Sequence, residues 1–138
     1  VRHAYSGVES GLARESNPMP IEIMGLMFGH LDPDHPNELV VTDTFPLPIE
    51  GSETTVVADK PEVNAFMSEL TESLSKTRKD RLCGWYHSHP FPVGEFSNCF
   101  FSAVDVQTQL SWQMNFEAMG DPFVGIVVDP LRSVAQGR

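Results

Sequence analysis

Two histidines one residue apart are the clearest sign of chemistry in this sequence. His87 and His89 stand in the run Tyr86-His87-Ser88-His89-Pro90, at the end of an apolar segment. Residues two apart in an extended strand project from the same face, so both imidazoles can point at one metal ion. A bare His-x-His triplet is common by chance, and a pair of core or surface histidines is then its favoured explanation. By itself the pair predicts half of a metal site.

Asp105 is the candidate for a third ligand. Residues 102–105 have the pattern of a helix start, with Ser102 as N-cap and Asp105 in the first turn. Capping does not occupy the whole carboxylate, which can also bind a cation held by the strand histidines. Two imidazoles, one carboxylate and a water form the ligand set of a hydrolytic zinc site. We therefore predict Zn²⁺ as the cofactor, with His87, His89 and Asp105 as its ligands.

Glu22 is the candidate for the base that a zinc hydrolase needs. Such a base takes a proton from water and returns it to the leaving amine. Glu22 is the only charged residue in the apolar segment 21–28, where an unpaired carboxylate is costly to bury unless it is paired or used. The alternative is a solvent-facing glutamate at the edge of a strand.

The apolar pattern predicts the strands that position these groups. Residues 21–28 are apolar on both faces, which predicts a central strand. The turn-rich segment 32–37 leads into a second strand at 39–45, so the two strands are expected to form a hairpin. Residues 82–89 and 123–128 predict two further strands.

Three helices are predicted from apolar residues at helical spacing. The first covers residues 1–12, although Gly7 and Gly11 weaken its pattern. The second begins at Pro61, a residue type favoured at the first helical position, and the third follows Ser102. Their apolar residues are, in order, Val1, Ala4, Tyr5, Val8 and Leu12; Val63, Phe66, Met67, Leu70 and Leu74; and Ala103, Val106, Leu110 and Met114.

Composition limits the fold class and the classes of partner. The chain has 138 residues, 41% of them hydrophobic, and we predict a single catalytic domain over residues 1–138 that belongs to a longer chain. A net charge of −10 disfavours nucleic acid and anionic membranes as partners. Cys83 and Cys99 are too few for a disulfide framework, and no stretch has the apolar length of a membrane span.

The candidate residues stand in motifs that resemble those of the JAMM (MPN-plus) metalloisopeptidases. The matching segments are Ile21-Glu22-Ile23-Met24-Gly25-Leu26, Gly84-Trp85-Tyr86-His87-Ser88-His89-Pro90 and Ser102-x-x-Asp105-x-x-Thr108-Gln109. The resemblance implies an α/β JAB1/MPN fold, in which a curved mixed β-sheet is flanked by helices. It also implies site roles: zinc ligands His87, His89 and Asp105, general acid and base Glu22, and oxyanion stabiliser Ser102.

Within that family, residues 45–54 are most similar to the signalosome deneddylases, which remove the ubiquitin-like modifier Nedd-eight from cullins. This similarity implies a catalytic subunit of the COP-nine signalosome in the cytoplasm and nucleus. Its partners would be the other subunits and a cullin-conjugated modifier, and the isolated chain would have weak or no activity. Two alternatives stay open: a deubiquitinase of the proteasome-lid type, which shares the motif at 84–90, and a non-catalytic MPN scaffold.

The chain departs from the family pattern between the second histidine and Ser102. The segment 90–101 is five residues longer than the corresponding segment of the family. We expect the five extra residues to bulge from the loop around 91–98 and to affect substrate fit. Glu53 lies in a loop framed by proline and glycine. We consider it a candidate autoinhibitory lid whose carboxylate takes the fourth zinc position, with a solvated loop glutamate as the equal alternative.

The remaining reactive and aromatic side chains have simpler explanations. Cys99 near a histidine pair suggests a thiol protease, but imidazoles that bind zinc cannot serve as its base, so we expect a packed, unreactive thiol. Cys83 is expected in the core. Trp85, Tyr86 and the phenylalanines are expected in the core rather than on a binding surface. The histidines outside the pair are expected to face solvent: His3, His30 and His35.

Overall fold

The computed structural model describes residues 1–47, 61–91 and 99–135. Within these ranges the elements are α1 (Arg2–Leu12), β1 (Met24–Leu31), β2 (Leu39–Pro46), α2 (Pro61–Thr77), β3 (Arg81–Ser88), α3 (Ala103–Ala118), β4 (Val124–Val128) and α4 (Pro130–Ala135). No helix in the described ranges combines the length and the apolar character needed to cross a lipid bilayer.

The strands form one mixed sheet in the order β2-β1-β3-β4. β1 pairs antiparallel with both β2 and β3, which confirms the predicted hairpin. β3 and β4 are parallel, and α3 lies in the connection between them, since a parallel pair needs a crossover. The result is the α/β sheet flanked by helices that the sequence predicts.

The two central strands carry the core. Leu26 on β1 and Trp85 on β3 are fully buried, because each strand has a neighbour on both sides and is covered on both faces. Burying such a side chain stabilises the fold by about 1.5–3 kcal/mol. Helix α2 packs against this core through residues of its predicted apolar side, namely Phe66, Met67, Leu70 and Leu74.

Helix α3 forms where predicted, but it does not bury the apolar residues that identify it. Val106, Leu110 and Met114 are 42%, 51% and 70% exposed. The side that faces the sheet contains the buried Thr108 and the partly buried Trp112, which contacts the core. Two polar residues of this helix, Asp105 and Gln109, contact side chains of the β3 segment, which periodicity alone does not reveal.

Helix α1 packs closely because of its two glycines. A Cβ at Gly11 would lie 2.0 Å from the Met19 carbonyl oxygen, and one at Gly7 would lie 2.6 Å from that of Ile21. Both glycines are buried with Ala4 and Val8, whereas Val1 and Leu12 of the predicted stripe are exposed. Gly7 and Gly11 weaken the helical pattern of the sequence. In the structure they are the positions at which the backbone of residues 19–21 packs directly against α1.

Candidate metal centre

His87 and His89 lie side by side at the end of β3. His87 pairs with Met24 of β1 and with Val127 of β4, so it is held within the sheet. His89 follows the strand, and its N–H donates to the Val128 carbonyl at 2.9 Å. The two Nε2 atoms are 3.0 Å apart, which shows that both rings project to one face. The strand itself ends one residue earlier than predicted.

Asp105 reaches the two histidines from the first turn of α3. The Ser102 hydroxyl accepts the Asp105 N–H at 3.2 Å, and the Ser102 N–H donates to Asp105 Oδ2 at 2.8 Å. This capping box confirms Ser102 as the N-cap. The same Oδ2 lies 3.1 Å from Nε2 of His87 and 3.1 Å from Nε2 of His89. All three side chains are buried, with 1%, 5% and 1% of His87, His89 and Asp105 exposed.

The three groups fit a divalent metal ion. Two nitrogen atoms and one oxygen atom lie within 3.1 Å of one another. Ligand atoms bound tetrahedrally to zinc, at about 2.0–2.2 Å from the ion, lie about 3.3 Å apart, close to these separations. Imidazole and carboxylate are also ligand types that zinc binds. The arrangement can therefore hold such an ion.

Burial determines the protonation state of His87. Burial lowers the pKa of His87 from its usual value, the Asp105 carboxylate opposes that shift, and His89 adds to it. The ring is therefore neutral at pH 7, and a neutral imidazole has the lone pair that a metal needs.

The ladder between β1 and β3 continues towards Glu22. The Ser88 N–H donates to the Ile23 carbonyl at 3.0 Å, and the Ile23 N–H donates to the Ser88 hydroxyl at 3.0 Å. Both groups are buried, which fixes the chain just before β1 against the end of β3. Glu22 is the next residue, so its backbone lies at the end of the sheet where the histidines are.

The regular register between β1 and β3 stops short of Glu22. It ends at the pair of Met24 and His87, and neither Ile23 nor His89 belongs to a strand. The expectation that Glu22 lies inside the strand is wrong, since it forms an isolated bridge ahead of β1. Its side chain is half-buried, and its catalytic role stays a prediction.

Two predictions fall outside the described residues. Glu53, the candidate lid, lies in the range 48–60, and most of the expected bulge lies in the range 92–98. The lid and the effect of the insertion on substrate fit therefore stay predictions.

Four side chains next to the centre are more exposed than predicted. Cys99 is exposed, although a packed thiol was expected. Phe91, Phe100 and Phe101 are 42%, 54% and 37% exposed, although the core was expected for them. They lie in the connection between β3 and α3, where no further layer covers them within the described residues. Phe100 contacts the ring of His89 edge-on, at 5.4 Å between centroids.

His3 also differs from its prediction. It is half-buried, and its Nδ1 lies 2.9 Å from the Tyr86 hydroxyl, which ties α1 to the strand that carries the histidine pair. Burial lowers the pKa of His3 from its usual value. His30 and His35 are exposed and Cys83 is buried, as predicted.

A second group of metal-ligand types lies in the β1–β2 hairpin loop. Donor atoms of Asp32, His35 and Glu38 lie within 4.8 Å of one another. Asp32 Oδ1 instead accepts the N–H groups of Asp34 and His35, at 2.8 and 3.3 Å, and His35 and Glu38 are exposed. The geometry of the turn explains this group.

The contacts of the His87 ring on the side away from Asp105 were not predicted from the sequence. The Trp85 ring stacks on the His87 ring, and the Trp85 indole N–H donates to Gln109 Oε1. Trp85 precedes His87 by two residues, so the period of a strand places both side chains on one face. That period was a usable signal for Trp85, whereas nothing local indicates its contact with Gln109.

Comparison with protein families gives one match over most of the chain. Residues 1–118 match the family described as JAB1/Mov34/MPN/PAD-1 ubiquitin protease. The matched range contains the two histidines, Asp105 and Glu22.

Curated relatives are similar over the same part of the chain. Proteins described as COP9 signalosome complex subunit 5 from Emericella nidulans and Drosophila melanogaster are each 40% identical to it over 119 residues. The protein of that description from Caenorhabditis elegans is 38% identical over 119 residues. These alignments cover 86% of this chain but 31%, 32% and 29% of the relatives, so the chain spans about a third of their length.

Proposed function

The chain belongs to the JAB1/Mov34/MPN/PAD-1 family, and on that premise we propose that it is a zinc-dependent isopeptidase of a COP9 signalosome. In this proposal it removes the modifier Nedd-eight from cullins, in the cytoplasm and nucleus. Its partners are the other subunits of the complex and the modified cullin. The similarity to subunit 5 proteins supports the choice of complex.

One observation carries the proposal: two imidazoles and a carboxylate from separate elements meet within 3.1 Å in a buried site. Burying these polar groups is costly unless they bind one another or a cation. A structural role alone does not require two histidines and an aspartate to share one point. A zinc ion bound there would act as a Lewis acid and lower the pKa of water towards neutrality.

The protein's own side chains have distinct tasks in this reaction. Glu22 takes a proton from the attacking water and delivers it to the departing lysine amine. Ser102 stabilises the oxyanion of the tetrahedral intermediate. Its oxygen accepts the Asp105 N–H with one lone pair, which leaves its O–H free to donate a hydrogen bond to substrate. The nucleophile is water, so no covalent enzyme intermediate forms.

Two other functions remain as alternatives. A deubiquitinase of the proteasome-lid type would use the same chemistry on another modifier. A non-catalytic MPN scaffold would need no metal, and the complete donor set of His87, His89 and Asp105 argues against it.

Glu22→Gln tests the proposed chemistry. The substitution keeps the size of the side chain but removes the group that moves protons, a contribution of about 10²–10⁴ in rate. In a signalosome assembled with this subunit, we expect zinc content to stay the same and cleavage of Nedd-eight from a cullin to fall by at least about 10². Both quantities are measured on the same sample, by elemental analysis and by gel.

Glu9→Gln is the matched control, because Glu9 is an exposed glutamate on α1. Near wild-type cleavage by the Glu22→Gln complex would refute the assigned role. Faster cleavage of diubiquitin than of the cullin conjugate by the unaltered complex would favour the deubiquitinase. A folded protein that binds no zinc would favour the scaffold.

A further inference from the structure

The Nδ1 side of the His87 ring has no hydrogen bond that would set its orientation among the described residues. A histidine that binds a metal usually donates its second ring N–H to a carboxylate or carbonyl, which fixes the ring. His87 Nε2 faces His89 and Asp105, but its Nδ1 is buried and has no hydrogen-bond partner in the described part of the chain. Something else must hold the plane of this ring.

The Trp85 ring holds that plane by stacking. The two ring centroids are 4.5 Å apart and the planes differ by 6°. Phe101 lies nearly parallel to both rings, at 6.4 Å from Trp85 and 6.2 Å from His87. Trp85 is fully buried, so a change in its position would be transmitted to the imidazole.

Gln109 in turn fixes Trp85. The Trp85 indole N–H donates to Gln109 Oε1 at 2.8 Å, and Gln109 Nε2 donates to the Phe123 carbonyl at 2.9 Å. Both ends of the amide have a partner, which determines the direction of its oxygen. Trp85 therefore cannot tilt without leaving a buried N–H unpaired, which is unfavourable.

Gly125 leaves space for this bond. It pairs with Trp85 in the parallel ladder between β3 and β4. A Cβ at this position would lie 2.9 Å from Trp85 Nε1, 2.9 Å from Gln109 Oε1 and 2.8 Å from the Phe101 ring. The strand thus provides a position without a side chain at the point where the indole and the amide meet.

We propose that Gln109 is a positioning residue that acts through Trp85 to orient the metal ligand His87. The inference rests on the proposed function, because it presupposes that His87 binds zinc. Stacking and one hydrogen bond then replace the polar partner that such a histidine usually has. Residues that orient metal ligands typically change metal affinity by about 10–100-fold when they are replaced.

The test compares Gln109→Ala with Gln107→Ala in the zinc affinity of the protein. Gln107 lies on the same helix and is exposed, so its truncation removes the same group without touching the indole. Gln113 is not a suitable control, because its Oε1 accepts from Gln109 Nε2 at 3.4 Å. Affinity is measured by competition with a chelator. We expect zinc binding to weaken by about tenfold in Gln109→Ala and to change little in Gln107→Ala.

Two more measurements distinguish positioning from a general loss of stability. The His87 ring proton signals are expected to shift in Gln109→Ala, because stacking on an indole displaces them by its ring current. Trp85→Phe keeps a ring on His87 but removes the N–H, so combining it with Gln109→Ala should weaken zinc binding no further than either change alone.

The outcomes separate this inference from the proposed function. Reduced stability in Gln109→Ala, with unchanged zinc affinity and unchanged His87 signals, would overturn the positioning role. His87→Ala serves as the reference. If it binds zinc as well as the unaltered protein, then the proposed metal site itself is wrong. If it loses zinc while Gln109→Ala keeps the zinc affinity of the unaltered protein, then only the inference fails.

Discussion

Ser102 and Asp105 bind each other's backbone N–H groups, and the Asp105 oxygen in that exchange is the one that faces both imidazoles. Oδ2 accepts the Ser102 N–H at 2.8 Å and lies 3.1 Å from Nε2 of His87 and of His89. The capping box therefore does more than begin a helix. It also holds the Asp105 carboxylate towards the two imidazoles, and two predictions follow from it.

Replacement of Ser102 separates its capping role from its chemistry. Ser102→Ala removes the cap and should lower the free energy of unfolding by about 1 kcal/mol, whereas Ser102→Gly should cost only a few tenths. Both variants remove the hydroxyl, so we expect cleavage to fall to a similar extent in both. Urea unfolding and turnover provide the two measurements. If turnover instead falls only in proportion to the loss of stability, so that Ser102→Gly has near-normal activity, the oxyanion role of Ser102 is contradicted.

Asp105→Asn tests whether the carboxylate charge binds the metal. Asparagine can still accept the Ser102 N–H through its side-chain oxygen, so the helix should still begin at the same residue. A neutral amide is a much poorer ligand, and we expect zinc to be lost on dialysis against a chelator that the unaltered protein withstands. Asp34→Asn, in the exposed hairpin loop, is the control. Full zinc content in Asp105→Asn would exclude this residue as a ligand.

His3 should make the stability of the fold depend on pH. Burial lowers its pKa in the folded state from 6.5, so the unfolded chain binds the proton more tightly. Stability should therefore be complete above about pH 6.5 and fall as the pH drops from there towards the folded-state pKa.

The control for this prediction lies on the same helix. His3→Gln keeps an acceptor for the Tyr86 hydroxyl but does not titrate, so urea midpoints between pH 7 and 5 should decline less steeply. Ser6→Ala, which changes no titratable group, should retain the original slope. If the urea midpoint of His3→Gln declines with falling pH as steeply as that of the unaltered protein, then His3 is not the source of the pH dependence.

The two cysteines should differ in reactivity. Burial raises the pKa of Cys83 to about 11, so it is almost entirely a thiol at pH 8, and its Sγ lies against the Met27 carbonyl. Cys99 is exposed. Iodoacetamide should therefore modify one cysteine in the folded protein, and Cys99→Ser should abolish the labelling that mass spectrometry detects. Labelling of Cys83 without unfolding would contradict its burial.

Several features of the fold and of the candidate site follow from local sequence. The hairpin of β1 and β2 and the apolar side of α2 are set by residues close together in the chain, and so is the helix start at Ser102. The face shared by His87 and His89 also depends only on the period of an extended strand. Local geometry determines such features before distant parts of the chain meet.

Other features were decided only when distant segments packed. The apolar residues at 106, 110 and 114 indicate a helix but not the face that it buries, because the partners of the opposite face lie on β3 and β4. For the same reason the exposure of Cys99 and the contact of His3 with Tyr86 were not predictable from neighbouring residues.

The sequence by itself determined that His87 and His89 project to one face and that a helix begins at Ser102 with Asp105 in its first turn. Only the tertiary structure decided that Asp105 comes within 3.1 Å of both imidazoles and that Trp85 and Gln109 support His87 from behind. The physical reason is that strand period and helix capping are properties of adjacent residues. Distances across the β3–α3 connection depend instead on how the sheet and the helix pack together.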